Sequence, residues 1–288
     1  MQIDGHKLVA LALNPNTPGQ PIVLLHGITA SINFWGDLEK YHPVFLKHGP
    51  CYALSLPGHY PAVVPSNFCN KKLTVGLITH LLTTAIGELP IGNQPVTLVG
   101  HSTGGFAALA IAASVPKIVS RLISLAGFAQ GKWTGLLGTN QWFARQGVLG
   151  QTVIKLGYGY SQLNRRFNRQ FVRWYVADMH AFSSFPYVEP FLDDTYRNFK
   201  HLDLDVMAKY FKTMPDIDIS DQLSNIKVPT LVMTGDEDPI VPPAQSHLIQ
   251  QKVPQADLVE IKGGGHLLFA ETPTEYNQAL DNWLQQTS

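Results

Sequence analysis

At 288 residues, with 45% hydrophobic and 15% charged residues, the chain is long enough for a substantial globular core and carries no disordered bias. Its 21 Lys and Arg balance 21 Asp and Glu, which removes any global electrostatic case for nucleic acid or an anionic membrane surface as partner. The two cysteines, Cys51 and Cys69, rule out a disulfide framework, and Cys51 falls in a strand-like run where a reduced, buried thiol is the commoner state.

The opening residues Met1 to Lys7 lack the basic-then-apolar layout of a signal peptide, and no uncharged apolar run is long enough to span a bilayer. A soluble, cytoplasmic protein with no integral membrane segment is the expectation. Short apolar alternations from Gln2 to Leu13 around Asp4-Gly5 predict a hairpin-like opening. Pro21 to Leu25 is a continuous apolar run ending in His26-Gly27, which suits a strand buried on both faces. From Ser31 to Lys47 the apolar residues recur at roughly helical spacing, interrupted at Pro43.

Cys51 to Leu56 reads as the next strand, ending at Pro57-Gly58-His59, and Leu73 to Leu89 as a helix. Val96 to Gly100 is a buried strand that runs into His101-Ser102-Thr103-Gly104-Gly105 and then into the small-residue helix Phe106 to Ala113. Ser102 therefore sits in a sharp strand-to-helix turn of G-x-S-x-G type, with glycines where a side chain would crowd the turn. Such a turn projects a poorly nucleophilic hydroxyl towards a base, with the positive end of the next helix beneath it.

A strand follows at Arg121 to Phe128, and then the strand rhythm stops. Between about Gly131 and Ser220 there is no clean strand run, but more than half of the Trp, Tyr and Phe lie here, with Phe167, Phe171 and Trp174 at helical spacing. Linkers are poor in aromatics, so this segment reads as a helical insertion whose aromatics mostly pack its own core. The arginines beside them, Arg165, Arg166, Arg169 and Arg173, read as a solvated helix face. The rhythm resumes at Val228 to Gly235, with a helix from about Pro243, a strand from Asp257 to Ile261, a loop to His266 and a last helix from Pro273. Strands alternating with helices predict a mainly parallel sheet with helices on both faces.

Ligands of such sheets bind beyond the carboxyl ends of the strands. The polar residues there are His26-Gly27, Ser102, Asp236-Glu237-Asp238 and His266, and a serine, an acid and a histidine occur in that chain order. Three glycines before His266 let the backbone bend its ring over the serine turn. His101 is expected to point away from that turn, and His26 and His59 to hold loops by hydrogen bonds.

With Leu25-His26-Gly27, Pro57-Gly58-His59, Gly100 to Gly104, Thr234 to Pro242 and Gly263 to His266, the chain resembles an α/β-hydrolase over essentially its whole length. The resemblance implies a core of residues 1–130 and 221–288 with a helical cap, 131–220. It implies Ser102 as nucleophile, His266 as base and, from the acid's place three residues after the glycine, Asp238 rather than Asp236 as orienting acid. It further implies an oxyanion hole from the backbone N–H groups of Ile28 and Thr103. No cofactor or metal is called for, the partner expected is a small-molecule substrate, and oligomeric state is left open. The leading expectation is hydrolysis of a carboxylic ester with an apolar acyl or aromatic group. The same side chains would serve a C–C bond hydrolase, a lyase, an acyltransferase or a cofactor-free peroxidase, and a non-catalytic small-ligand binder could keep the fold.

Overall fold

A computed structural model describes residues 1–68 and 73–287; Cys69 lies outside them. Strands β1 (Gln2–Ile3) and β2 (His6–Lys7) pair antiparallel about Asp4 and Gly5, whose φ values of 48° and 79° make the expected tight hairpin. The last part of the Gln2 to Leu13 stretch leaves this hairpin for the main sheet. Strand β3 (Ala10–Ala12) joins the main sheet antiparallel to β5 (Cys51–Leu54), forming one edge.

The other five members, β4 (Ile22–Leu25), β6 (Val96–His101), β7 (Val119–Leu125), β8 (Thr230–Gly235) and β9 (Ala256–Ile261), run parallel with β5 in the order β3-β5-β4-β6-β7-β8-β9. β6 is thus the central strand, and its carboxyl end is flanked by those of β4 and β7. Every residue of β4, β5, β6 and β8 is buried. Alternate residues explain why: Val23 and Leu25 enter one apolar core, Ile22 and Leu24 the other. Both faces are covered, so an apolar run replaces the alternation of a half-exposed sheet.

The helices Val75–Gly87 and Thr103–Ser114 cover one face, and Pro273–Gln286 covers the opposite one. All of Thr103–Ser114 except Ser114 is buried, which accounts for its Ala-rich, faceless composition. The Ser31 to Lys47 stretch forms three short helical pieces, Ile32–Trp35, Leu38–Tyr41 and Pro43–Lys47, broken at Gly36 and before Pro43. Cys51 is a buried free thiol, and burial pushes its pKa up to about 12.

Between β7 and β8 the described chain from 131 to 220 contains no strand beyond an isolated bridge of Asp218 with Gln130; it is built of helices and turns, among them Gly135–Ala144, Gly147–Leu163, Arg165–Phe171, Val188–Phe199 and Leu204–Thr213. Its two ends are stapled together where Gly131 N–H donates to Ile217 O at 2.9 Å and Ile219 N–H to Ala129 O at 3.0 Å.

Candidate active site

Ser102 is the residue between the end of β6 and the start of helix Thr103–Ser114, with φ 55° and ψ −118°. A non-glycine residue rarely adopts a positive φ, and here the surroundings enforce it. A Cβ on Gly100 would fall 2.1 Å from Gly104 O, and one on Gly104 would fall 2.3 Å from Leu25 O, so strand, turn and helix are pressed together. The turn is anchored by Ser102 N–H to Leu125 O at 2.9 Å and by Phe106 N–H to Ser102 O at 3.0 Å.

The end of β4 lies against this turn. A Cβ on Gly27 would fall 3.2 Å from Ser102 Cβ, which sets how closely the Gly27-Ile28 backbone approaches. Thr103 opens its helix, and N–H groups of a first helical turn have no acceptor within the helix. His26 holds the loop: its Nδ1–H donates to Gly27 O at 2.8 Å and its Nε2 accepts from Leu56 N–H at 3.1 Å. His59 Nδ1–H donates to Pro57 O at 3.2 Å. Burial lowers the pKa of His26 to about 3 and that of His59 to about 4.

The loops after β8 and β9 bring Asp238 and His266 together. His266 Nδ1–H donates to Asp238 Oδ2 at 2.7 Å, and Asp238 Oδ1 accepts from Ile240 N–H at 2.8 Å and Val241 N–H at 2.9 Å. Both side chains are buried. With Nδ1 committed as a donor, Nε2 is the basic nitrogen of the ring. Asp236 does something else: its exposed carboxylate takes Gly263 N–H at 2.6 Å, steadying the turn that leads to His266.

The expectation that His101 points away is corrected. Its Nε2–H donates to His266 O at 2.9 Å, and its ring lies 4.7 Å from the His266 ring, stacked on Phe34. Burial, then the neighbouring His266, holds its pKa well below 6.5. A neutral imidazole is therefore wedged under the backbone of His266.

Glu271 had no signal in the sequence. Its Oε1 accepts from Leu267 N–H at 3.0 Å and its Oε2 from Ala177 N–H at 2.7 Å and Asp178 N–H at 3.2 Å. Burial raises the pKa of this carboxyl even against those three donors. Leu267 is four residues away, but Ala177 and Asp178 are 94 and 93 residues away, and no spacing rule finds those two. His266 N–H in turn donates to Tyr175 O at 3.2 Å.

Ser102, His266 and Ile28 line one cavity with Tyr158, Tyr175 and Leu192 from the helical segment. Tyr175 Oη lies 3.3 Å from Thr29 Oγ1, and Asn140 Nδ2–H donates to Tyr158 Oη at 2.9 Å. The remaining lining is mostly aromatic and aliphatic, and no Lys or Arg contributes to it among the described residues. Arg165 and Arg169 face elsewhere, paired with Asp193, the latter also with Glu189 at 2.5 Å.

A largely parallel sheet, a serine in a strained turn after the central strand and a buried Asp–His pair beside the same cavity together define an α/β enzyme of hydrolytic type. The chain belongs to the alpha/beta hydrolase family, whose pattern it matches over residues 22–279. It is similar to the (E)-2-((N-methylformamido)methylene)succinate hydrolase of Acinetobacter baylyi, 23% identical over 93% of this chain and 92% of that protein. It is also similar to the 2-hydroxy-6-oxononadienedioate/2-hydroxy-6-oxononatrienedioate hydrolase of Burkholderia vietnamiensis, 25% identical over 98% of this chain and 93% of that one. The enol-lactonase structure from Burkholderia xenovorans shares its fold, with a TM-score of 0.75 at 18% identity and 98% of each chain covered.

Proposed function

We propose that this chain is a serine hydrolase acting on a neutral carboxylic ester with an apolar acyl or aromatic group. One observation carries the reading: a serine held in a strained turn and a histidine hydrogen-bonded to a buried aspartate share a cavity walled by aromatic and aliphatic side chains. In this mechanism Ser102 Oγ attacks the ester carbonyl while His266 Nε2 takes its proton. Asp238 holds the ring and stabilises the imidazolium, and the N–H groups of Ile28 and Thr103 receive the oxyanion. His266 then protonates the departing alcohol, and water, activated by the same nitrogen, releases the acyl group.

The helices of residues 131–220 act as a cap in this reading, because Tyr158, Tyr175 and Leu192 from that segment wall the cavity over Ser102. The lining also supports a choice of substrate. The names of the two hydrolases above describe dicarboxylates, and a dianion in a dry cavity requires a cationic partner. Here no Lys or Arg lines the cavity among the described residues, so an uncharged substrate fits better.

The decisive experiment is turnover of a series of p-nitrophenyl esters by the wild-type protein and Ser102→Ala. The expected result is a loss of at least about a thousandfold in kcat for the variant. Unchanged turnover in Ser102→Ala would overturn the mechanism, and absence of turnover and of fluorophosphonate labelling in the wild type would favour a binding role.

A further inference from the structure

The helix Gly147–Leu163 is apolar on two opposite faces. Gly150, Ile154, Tyr158 and Ser161 are buried, and Tyr158 reaches the cavity. On the other side Leu149, Val153, Leu156, Tyr160 and Leu163 recur at alternating steps of four and three residues, a single stripe along the helix. All five are exposed, Leu149 by 82%, Leu156 by 68% and Leu163 by 88%. Trp142 and Trp174, from neighbouring segments, are 60% and 58% exposed. A helix apolar all round is ordinarily buried all round, and a continuous exposed stripe marks a surface that something covers.

Charge says what covers it. The chain is neutral overall, yet every charged residue between Leu89 and Ala177 is a Lys or Arg. Lys155, the single charge of the helix, pairs with Asp205, and Arg165 and Arg169 pair with Asp193. Arg166 and Arg173 are exposed and form no ion pair among the described residues. Arg166 stands beside Phe167, which packs on Tyr160 of the stripe at 4.7 Å, and Arg173 beside Trp174.

We propose that this face docks on an anionic lipid surface. The leucines enter the boundary of the acyl chains, Trp142, Tyr160 and Trp174 lie at headgroup depth, and Arg166 and Arg173 meet the anionic headgroups. A second copy of the chain paired through the same helix would bring Arg166 and Arg173 no carboxylate from the segment between Leu89 and Ala177, because that segment has none. Docking places the surface on the outer side of a cavity wall, since the helix that carries the stripe also carries Tyr158. The inference goes beyond the proposed reaction and does not depend on it.

The test is cosedimentation of the full chain with phosphatidylcholine vesicles, with and without phosphatidylglycerol. The double variants Leu149→Glu/Leu156→Glu and Arg166→Glu/Arg173→Glu are run beside it, with thermal melts confirming that each variant folds. The wild type is expected to bind the anionic vesicles, both variants to bind at least about tenfold less, and added salt to weaken the wild type. Ser102→Ala must bind like the wild type, which separates this outcome from any failure of the ester reading. No binding to anionic vesicles overturns the proposal, as does binding unchanged in both variants. A concentration-dependent dimer dissolved by Leu149→Glu/Leu156→Glu, without vesicle binding, assigns the face to a second copy instead.

Discussion

Asp238 meets His266 with one oxygen only: Oδ2 takes the Nδ1–H at 2.7 Å, while Oδ1 is held by the N–H groups of Ile240 and Val241. The carboxylate cannot rotate without giving up donors on both sides, so it fixes the tautomer as well as the position of the ring. In Asp238→Asn the amide oxygen keeps the two backbone donors and the amide NH2 faces Nδ1, forcing the proton to Nε2. On the proposed mechanism kcat for an ester falls by about 10³–10⁴-fold while the melting temperature changes little. Asp236→Asn, whose residue holds only the Gly263 turn, is expected to keep activity within about threefold, a surface-type effect. A steady-state comparison of the two variants decides between the carboxylates, and equal losses would sink the assignment to Asp238.

Glu271 is expected to act on position rather than on chemistry. It ties Leu267, next to His266, to Ala177 and Asp178, two and three residues beyond Tyr175. Replacing it by alanine leaves three N–H groups near the site without their acceptor, a loss of about 1–3 kcal/mol for each one that stays dry. The predicted result for Glu271→Ala is a lower melting temperature with a reduced kcat and a pH profile of unchanged shape. A shifted pH profile would instead make Glu271 a participant in proton transfer.

Much of this arrangement was legible in the chain because burial on both faces turns strands into uninterrupted apolar runs. Ile22–Leu25, Cys51–Leu54 and Val96–His101 needed no partner to be recognised. Asp238 is preferred to Asp236 through the family resemblance, from its place three residues after Gly235 and ahead of the apolar-Pro run, and it is the carboxylate that meets His266. The place of strand β3 in the main sheet was not legible: three residues carry no period, and its edge position is set by β5 rather than by its own side chains. His101 was misjudged because strand alternation predicts which face a side chain leaves from, not where a ring travels once Phe34 stacks on it. The broken helix from Ser31 to Lys47 was foreseen at Pro43, but its fragmentation into separate turns follows from contacts with both sheet and helical segment.

Four histidines that the mechanism leaves neutral set the response to acid. Burial lowers the pKa of His26 and His42 to about 3, that of His59 to about 4, and that of His101 in the same direction, from an ordinary 6.5. Below pH 6.5 the unfolded chain binds protons at these positions and the native chain does not. Stability therefore falls as the pH drops from 6.5 towards 4, by up to about 1.4 kcal/mol per pH unit for each histidine, and is fully present above 6.5. Urea unfolding at pH 7.5, 6.0 and 5.0 should show midpoints decreasing steeply, and a midpoint insensitive to this range would contradict the burial of these rings.

Leu192 tests whether the aromatic and aliphatic wall holds the acyl group. It belongs to helix Val188–Phe199, is half-buried and lines the cavity from the helical segment. Because it is not packed on all sides, a larger side chain there can grow into the cavity rather than into the core, so Leu192→Trp is expected to fold. The indole would occupy space that a long acyl chain needs and a short one does not. Differences of this kind in apolar pockets are worth about 1–3 kcal/mol, so kcat/KM for an octanoyl ester should fall about 10- to 100-fold. The acetyl ester, which needs only the region around Ser102, should stay within about threefold on the same grounds. If both esters lose activity together, the wall has disturbed Ser102 or His266 rather than selected a chain length; if neither does, the acyl group lies elsewhere and Leu192 faces the alcohol.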